Sequence, residues 1–194
     1  MKTFRKARAL ISIGVLVALA TGAFALSAGA DTQSARARLS DVNGHVVGAV
    51  KLSITDGKIG VKASVEGLSP GFHGFHIHTV GTCNSSVSFS TAGGHFNPPP
   101  GATHGGHAGD QPVLLVNTDG TAELRFTSDR YAIADLFDAD GSAFIVHADA
   151  DNYANIPTRY LSSTPITSGQ TGPDTATLST GDAGGRVACG VIEP

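Results

Sequence analysis

The strongest constraint on this chain is a period of two. Ile59, Val61, Ala63 and Val65 alternate with Gly60, Lys62, Ser64 and Glu66. Successive side chains of an extended strand point to opposite faces, so this run buries one face and wets the other. Turn residues bound it: Asp56-Gly57 before, Ser69-Pro70-Gly71 after. Short β-rich runs recur along the chain. They are Arg36–Asp41 followed by Asn43-Gly44, then Val46–Thr55, Phe72–Val80, Ser142–His147 and Arg186–Ile192. Val113–Asn117 and Thr121–Thr127 read as a hairpin closed by Asp119-Gly120, with Ala122, Leu124 and Phe126 on one face. Asn-Gly and Asp-Gly pairs favour two-residue hairpin turns. About eight short strands separated by turn signals predict an all-β sandwich or barrel. The 25 glycines among 194 residues, nearly twice the ordinary ~7% usage, suit many turns and not a helical bundle. No segment shows a convincing amphipathic helix. Gly81–Gln111 and Ala148–Gly185 are long loops, and loops of such length are usually functional or disordered.

A different kind of segment precedes the strands. Lys2, Arg5, Lys6 and Arg8 open it, an uncharged and mostly apolar run spans Ala9 to Ala30, and Ala28-Gly29-Ala30 ends it. This is the pattern of a secretory signal peptide over 1–30, leaving a mature domain over 31–194 that is secreted, extracellular or periplasmic. The alternative is an uncleaved anchor, because the run approaches the ~20 residues of a membrane span. The formal charge of −3 comes from 13 basic and 16 acidic residues; without the signal, 9 basic remain against 16 acidic, a net −7. An acidic balance argues against nucleic acid as a partner. Hydrophobic residues at 41% and charged residues at 15% exclude the composition of a disordered chain. Two cysteines, Cys83 and Cys189, can form one bridge in an oxidising compartment.

Of the eight histidines, six fall between Gly71 and Gly109. His76 and His78 form His-x-His on a predicted strand, where alternation sends both rings to one side. Alone, that pair is weak evidence, and two surface histidines are the commoner reading of it. His95, His104, His107 and Asp110 follow in the loop, and His-x2-His-x2-Asp brings donors together in a short stretch. Imidazole nitrogens with one carboxylate oxygen suit a tetrahedral Zn²⁺ site. Gly105, Gly106 and Gly109 let the backbone wrap an ion. His147 ends an apolar strand, with Asp149 and Asp151 close behind. A ligating histidine usually gives its other ring N–H to a carboxylate or carbonyl. Arg186 follows a glycine pair and could face a pocket and attract anions.

Taken together, Gly71-Phe-His-Gly-Phe-His-Ile-His78, Ala92-Gly-Gly-His-Phe-Asn-Pro98, His107-Ala-Gly-Asp110 and Gly184-Gly-Arg-Val-Ala-Cys-Gly-Val-Ile192 resemble the copper–zinc superoxide dismutases. The motifs run in order over nearly the whole mature chain. The resemblance implies an eight-stranded antiparallel Greek-key β-barrel or sandwich with two long functional loops. It implies copper held by His76, His78, His95 and His147. Zinc would be held by His95, His104, His107 and Asp110, with His95 bridging the two metals. Asp151 would link the two sites through ligand imidazoles, Arg186 would guide the anion, and Cys83 and Cys189 would form the intrasubunit disulfide. His73 matches a structural position, and His45 has no role in the pattern.

The implied activity is dismutation of superoxide to O2 and H2O2, with Arg186 and His95 as catalytic residues. Superoxide is the expected partner, a homodimer is possible, and no membrane span is expected in the mature protein. Two other functions fit the same motifs: a copper-only dismutase and a non-enzymatic extracellular copper-binding protein. Only two residues separate His104 from His107, fewer than family members usually carry, which bears on zinc more than on copper. The polar loop also carries an apparent extension around Asn155 to Ser179.

Overall fold

The computed structural model describes residues 34–98, 100–161, 169 and 171–194; the expected signal segment lies outside them. Nine strands are present among the described residues: β1 (Ser34–Asp41), β2 (Val46–Thr55), β3 (Lys58–Val65), β4 (Gly71–His73), β5 (Phe75–His78), β6 (Leu114–Val116), β7 (Ala122–Ser128), β8 (Ala143–His147) and β9 (Arg186–Glu193). Among the described residues α-helix is confined to α1 (Thr177–Thr180). No helix among them is long and apolar enough to cross a membrane.

Seven strands form one antiparallel sheet in the order β5-β8-β9-β1-β2-β3-β7, and β4 pairs with β6 in a second sheet. The sheet curls round a single main core. Leu39, Val50, Leu52 and Val61 meet Phe75, Ile77, Leu114 and Phe144 there, all at 2% exposure or less. Each such side chain contributes about 1.5–3 kcal/mol on burial. The alternation in β3 is as expected: Ile59, Val61, Ala63 and Val65 are buried while Lys58, Lys62 and Ser64 are exposed. The β2–β3 turn is Asp56-Gly57, with φ of 50° and 74°, the left-handed pair that a type I′ hairpin requires.

Three expectations need correction. The Asn43-Gly44 turn is a four-residue loop between Asp41 and Val46, because the Asp41 carboxylate accepts from the backbone N–H groups of Asn43 and His45. The run Phe72–Val80 is not one strand. It divides at Gly74 into β4, which pairs with β6, and β5, which pairs with β8. A Cβ on Gly74 would meet Ala183 Cβ at 2.6 Å, so the chain changes sheets where only glycine fits. Finally, β6 and β7 are joined by the Asp119-Gly120 turn, but they pair with β4 and β3 in different sheets. Alternation specifies which face is buried, not which neighbour the strand takes.

The described parts of both long loops are held by specific contacts. In the first, Phe89 and Ala92 pack with Ala143, Ile145 and Cys189 in a small second core. Cys83 is disulfide-bonded to Cys189 of β9 across 106 positions. Closing so long a loop in the unfolded chain is worth roughly 4–5 kcal/mol on a chain-entropy account. In the second, the backbone N–H groups of Asp149 and Asn152 donate to the carbonyls of Ala183 and Gly181, which brings the loop's two ends together.

Candidate metal centre

Strand β5 is buried along its whole length. Phe75 and Ile77 face the main core, and Phe75 stacks on Phe144 at 5.1 Å. Alternation then sends His76 and His78 to the opposite side. The first loop returns along the open edge of β5. Ile77 N–H donates to Gly109 O, and Ile77 O accepts from Phe96 N–H. The result sets His78 opposite His95 and His76 opposite Asp110 as isolated bridges. A Cβ at Gly109 would stand 2.5 Å from Ile77 O, so this close approach requires glycine. His147 arrives from the end of β8, where a register shift separates it from Val146.

Two clusters result, and they share a ring. His76, His78, His95 and His147 each offer a ring nitrogen, all within 4.8 Å of one another. In three of these rings the other nitrogen is tied down. His76 Nε2–H donates to Asp151 Oδ2 at 2.7 Å, His78 Nδ1–H to Gly93 O at 2.9 Å, and His147 Nδ1–H to Gly184 O at 3.1 Å. Fixing one nitrogen as donor leaves the other as a lone pair. His78 Nε2 and His147 Nε2 then face each other at 3.4 Å. His76 Nδ1 and His95 Nε2 are buried without any hydrogen-bond partner. Orphaned buried ring nitrogens are costly unless something else satisfies them, and a cation accepting four imidazole lone pairs would do so.

The second cluster gathers on Asp110. Its Oδ1 lies 2.9 Å from His95 Nδ1 and 3.2 Å from both His104 Nδ1 and His107 Nδ1. His104 Nδ1 is 3.2 Å from His95 Nδ1. Ligands at about 2.0 Å around a tetrahedral zinc ion stand about 3.3 Å apart, so this donor set fits that ion. His76, His95, His104 and Asp110 also offer atoms within 4.8 Å of one another. His76 Nε2, however, is engaged by Asp151, and His107 is the nearer companion of Asp110. The two-residue spacing between His104 and His107 does not keep these donors apart, because Gly105 turns the chain at φ +82°. Asp110 Oδ2 accepts from His107 N–H at 2.9 Å.

Asp151 connects the clusters. Its carboxylate takes His76 Nε2–H and, at 2.8 Å, His104 Nε2–H. Gly181 lies against this pair, where a Cβ would collide with Asp151 Oδ1 and His104 Nε2. The electrostatics of the clusters differ. Burial, then the neighbouring rings, press His95 down to about 4, and burial with His76 presses His147 to about 3. Burial also holds His78 well below the usual range. These rings are neutral at pH 7, as ligands must be. Burial would lower His104 too, but the Asp110 and Asp151 carboxylates outweigh it and raise the ring to about 9. Against their own burial, both carboxylates are held well below the usual range by their histidine partners.

Arg186 is half-buried, and its guanidinium donates to Phe89 O at 2.6 Å and Gly93 O at 2.5 Å. It therefore clamps the disulfide loop beside His78. His73 sits under the cluster, with Nδ1 2.7 Å from His147 O and Nε2 2.8 Å from Ser69 O. His45 is exposed beside Asp41. Sequence reasoning missed Arg130, which donates to Asp110 O and Gly105 O at 3.4 and 3.3 Å and so spans the His104–Asp110 turn. It also missed Tyr153, whose N–H donates to Asp151 Oδ1 and whose hydroxyl accepts from Val113 N–H. No local signal marks either residue.

Comparisons with known proteins agree with this geometry. Residues 46–192 match the copper/zinc superoxide dismutase family. The chain is 43% identical over 173 residues to "Superoxide dismutase [Cu-Zn]" of Mycobacterium tuberculosis, covering 82% of this chain and 70% of that protein. It is 34% identical over 203 residues to the protein of that name in Deinococcus radiodurans, covering 94% and 97%. Among solved structures, the Cu/Zn superoxide dismutase from Brucella abortus is similar at a TM-score of 0.60 and 28% identity, covering 82% of this chain and 99% of that one. A superoxide-dismutase-like protein from Bacillus subtilis has a TM-score of 0.60 and 29% identity, covering 80% and 96%.

Proposed function

The chain belongs to the copper/zinc superoxide dismutase family, and from that premise we propose that it is an exported enzyme dismuting superoxide to O2 and H2O2. Residues 1–30 act as a cleavable signal, and residues 31–194 are the working domain. Copper and zinc are the metals of this family. His76, His78, His95 and His147 hold copper, and His95, His104, His107 and Asp110 hold zinc. The observation that carries this reading is the single ring of His95. Its Nδ1 lies within 2.9 Å of Asp110 in one donor cluster, while its buried Nε2 is left without a partner in the other.

Bound copper supplies a one-electron centre that imidazole ligands suit, and bound zinc, which has no redox chemistry, supplies structure. The remaining tasks fall to the chain. Asp151 fixes the tautomers of His76 and His104, so that each presents Nδ1 as a lone pair. Gly93 O and Gly184 O accept from Nδ1–H of His78 and His147, so that each of these rings presents Nε2 instead. His95 Nε2 is the ring atom placed to hold and release a proton between the clusters. Arg186, fixed by two carbonyls, keeps a positive charge beside His78 for an anionic substrate. Residues 31–194 carry −7, so attraction must be local; charges further away than ~8–10 Å are screened at physiological salt.

Metal analysis together with superoxide-dependent activity tests the proposal. The purified protein should contain copper and zinc. His147→Ala should lose copper and more than about 100-fold of activity, beyond what outer partners of a metal site contribute. Arg186→Ala should keep copper and lose about tenfold in rate, the lower end of electrostatic steering effects. Full activity in His147→Ala would overturn the copper assignment. An unchanged rate in Arg186→Ala would favour a copper-binding protein with no use for a guiding cation.

A further inference from the structure

The solvent face of the curled sheet carries a row of like charges. Arg36 of β1 is directly opposite Lys51 of β2, Lys51 is opposite Lys62 of β3, and Lys62 is opposite Arg125 of β7. All four side chains are exposed, and partners in register share a face. Like charges directly opposite one another destabilise a sheet, and here that arrangement repeats across four adjacent strands. No ion pair to any of the four occurs among the described residues. Arg38 stands next to Arg36 on the same face. Five of the nine basic residues in 31–194 thus crowd one surface of a domain whose net charge is −7. Glu193 is opposite Arg36 at one end, and Glu123 lies one row away from Arg125, so the face remains positive.

The row runs through a groove of about 910 Å³. Its lining adds hydroxyls from Ser34, Ser53 and Thr127. Gly60 opens the middle, since a Cβ there would come within 2.8 Å of Thr55 Oγ1. We propose that this groove docks a linear phosphate polyanion laid across β1, β2, β3 and β7. Three spacings of about 4.8 Å make the charged row about 14 Å long, and apart from Arg38 beside Arg36 at one end its basic groups are one residue wide. The flanking row is Ser34, Ser53, Gly60 and Thr127 on one side and Arg38, Ala49, Ser64 and Glu123 on the other. That shape matches a single strand of anions. The large exposed hydrophobics Phe72, Leu115, Tyr160 and Leu161, which a lipid surface would engage, lie outside the lining. Lysine and arginine heads with hydroxyl donors are the groups that phosphate oxygens recruit. Neutralisation of the row by a bound polyanion removes the repulsion within it.

Long-chain inorganic polyphosphate is the probe. The protein should bind it in 50 mM salt, and bound polyphosphate should raise its melting temperature. Lys51→Ser with Lys62→Ser should weaken binding about tenfold and lower the slope of log K against log salt by about 1.4, at ~0.7 per lost contact. The control pair Lys58→Ser with Arg159→Ser removes the same charge elsewhere and should change affinity less than about twofold. Dismutase activity should stay unchanged in both pairs, which separates this proposal from the one for the metal centre. Three results would overturn the proposal: no binding, equal losses in the two pairs, or tighter binding of phosphatidylglycerol vesicles or single-stranded DNA than of polyphosphate.

Discussion

The two donor clusters share His95 but treat positive charge in opposite ways. The cluster of His76, His78, His95 and His147 contains no carboxylate, and burial holds His78, His95 and His147 neutral far below pH 7. The cluster around Asp110 sits between two carboxylates and draws a proton onto His104 up to about pH 9. In the first, His78, His95 and His147 therefore keep their lone pairs well into the acid range. The other attracts any cation, a proton included. The contrast suits a redox ion whose charge changes by one beside a structural ion whose charge is constant: imidazoles tolerate either charge, whereas a carboxylate strongly prefers the higher.

Asp151 is where the contrast breaks most readily, because it belongs to neither donor set yet holds a ring of each. In Asp151→Asn the amide offers one carbonyl oxygen and one NH2 group. One of His76 and His104 must then accept with Nε2, which moves its proton to Nδ1 and removes that lone pair. Copper and zinc affinities should each fall by about 10–100-fold, the usual cost of losing such a support. Competition titrations of both metals check this. If zinc alone weakens, the clusters are independent and the shared carboxylate does not couple them.

The pH dependence separates the clusters next. His104 is raised in the folded chain, so its proton stabilises the metal-free protein fully below about pH 6.5, and that contribution is lost as pH rises through about 9. Zinc must displace this proton, so zinc affinity should fall about tenfold per unit as pH drops from 9 towards 6.5. Through His78, His95 and His147, copper affinity should stay flat until about pH 4. Metal titrations between these limits give both slopes; equal slopes would mean that the carboxylates do not distinguish the clusters.

The histidines were legible in the sequence because metal chemistry restricts residue type as well as spacing. His-x-His on a strand and His-x2-His-x2-Asp in a glycine-rich loop have few uses, and the structure brings these side chains together. The buried face of β3 was equally legible, because one apolar face against water leaves no other register. The break at Gly74 was not. Phe72 to Val80 reads as continuous, and the crowding by Ala183 that demands glycine comes from a residue more than a hundred positions away. The separation of β6 from β7 was hidden for the same reason, since their partners β4 and β3 are remote in sequence. The basic row was hidden by its register. Arg36, Lys51, Lys62 and Arg125 are unremarkable singly and become a feature only when four strands align.

Arg130 is the finest test of what keeps the Asp110 cluster closed. No donor atom of that cluster belongs to it. Its guanidinium reaches the carbonyls of Asp110 and Gly105, the latter just after His104. Both bonds are long, at 3.4 and 3.3 Å, and Arg130 is exposed. Their joint contribution is therefore small, about 1 kcal/mol. The turn has other ties, among them His104 N–H to Leu178 O and Gly109 N–H to Phe96 O, so a loss at Arg130 only widens the distribution of His104 and Asp110 positions. Arg130→Ala should weaken zinc about fivefold, the equivalent of that energy, with copper affinity unchanged within twofold or so. Arg130→Lys should recover only part of the loss, since one ammonium cannot span two carbonyls as a fork can. Parallel zinc and copper titrations of the two variants read this out, and a copper loss equal to the zinc loss would show that Arg130 supports the fold at large and not this turn.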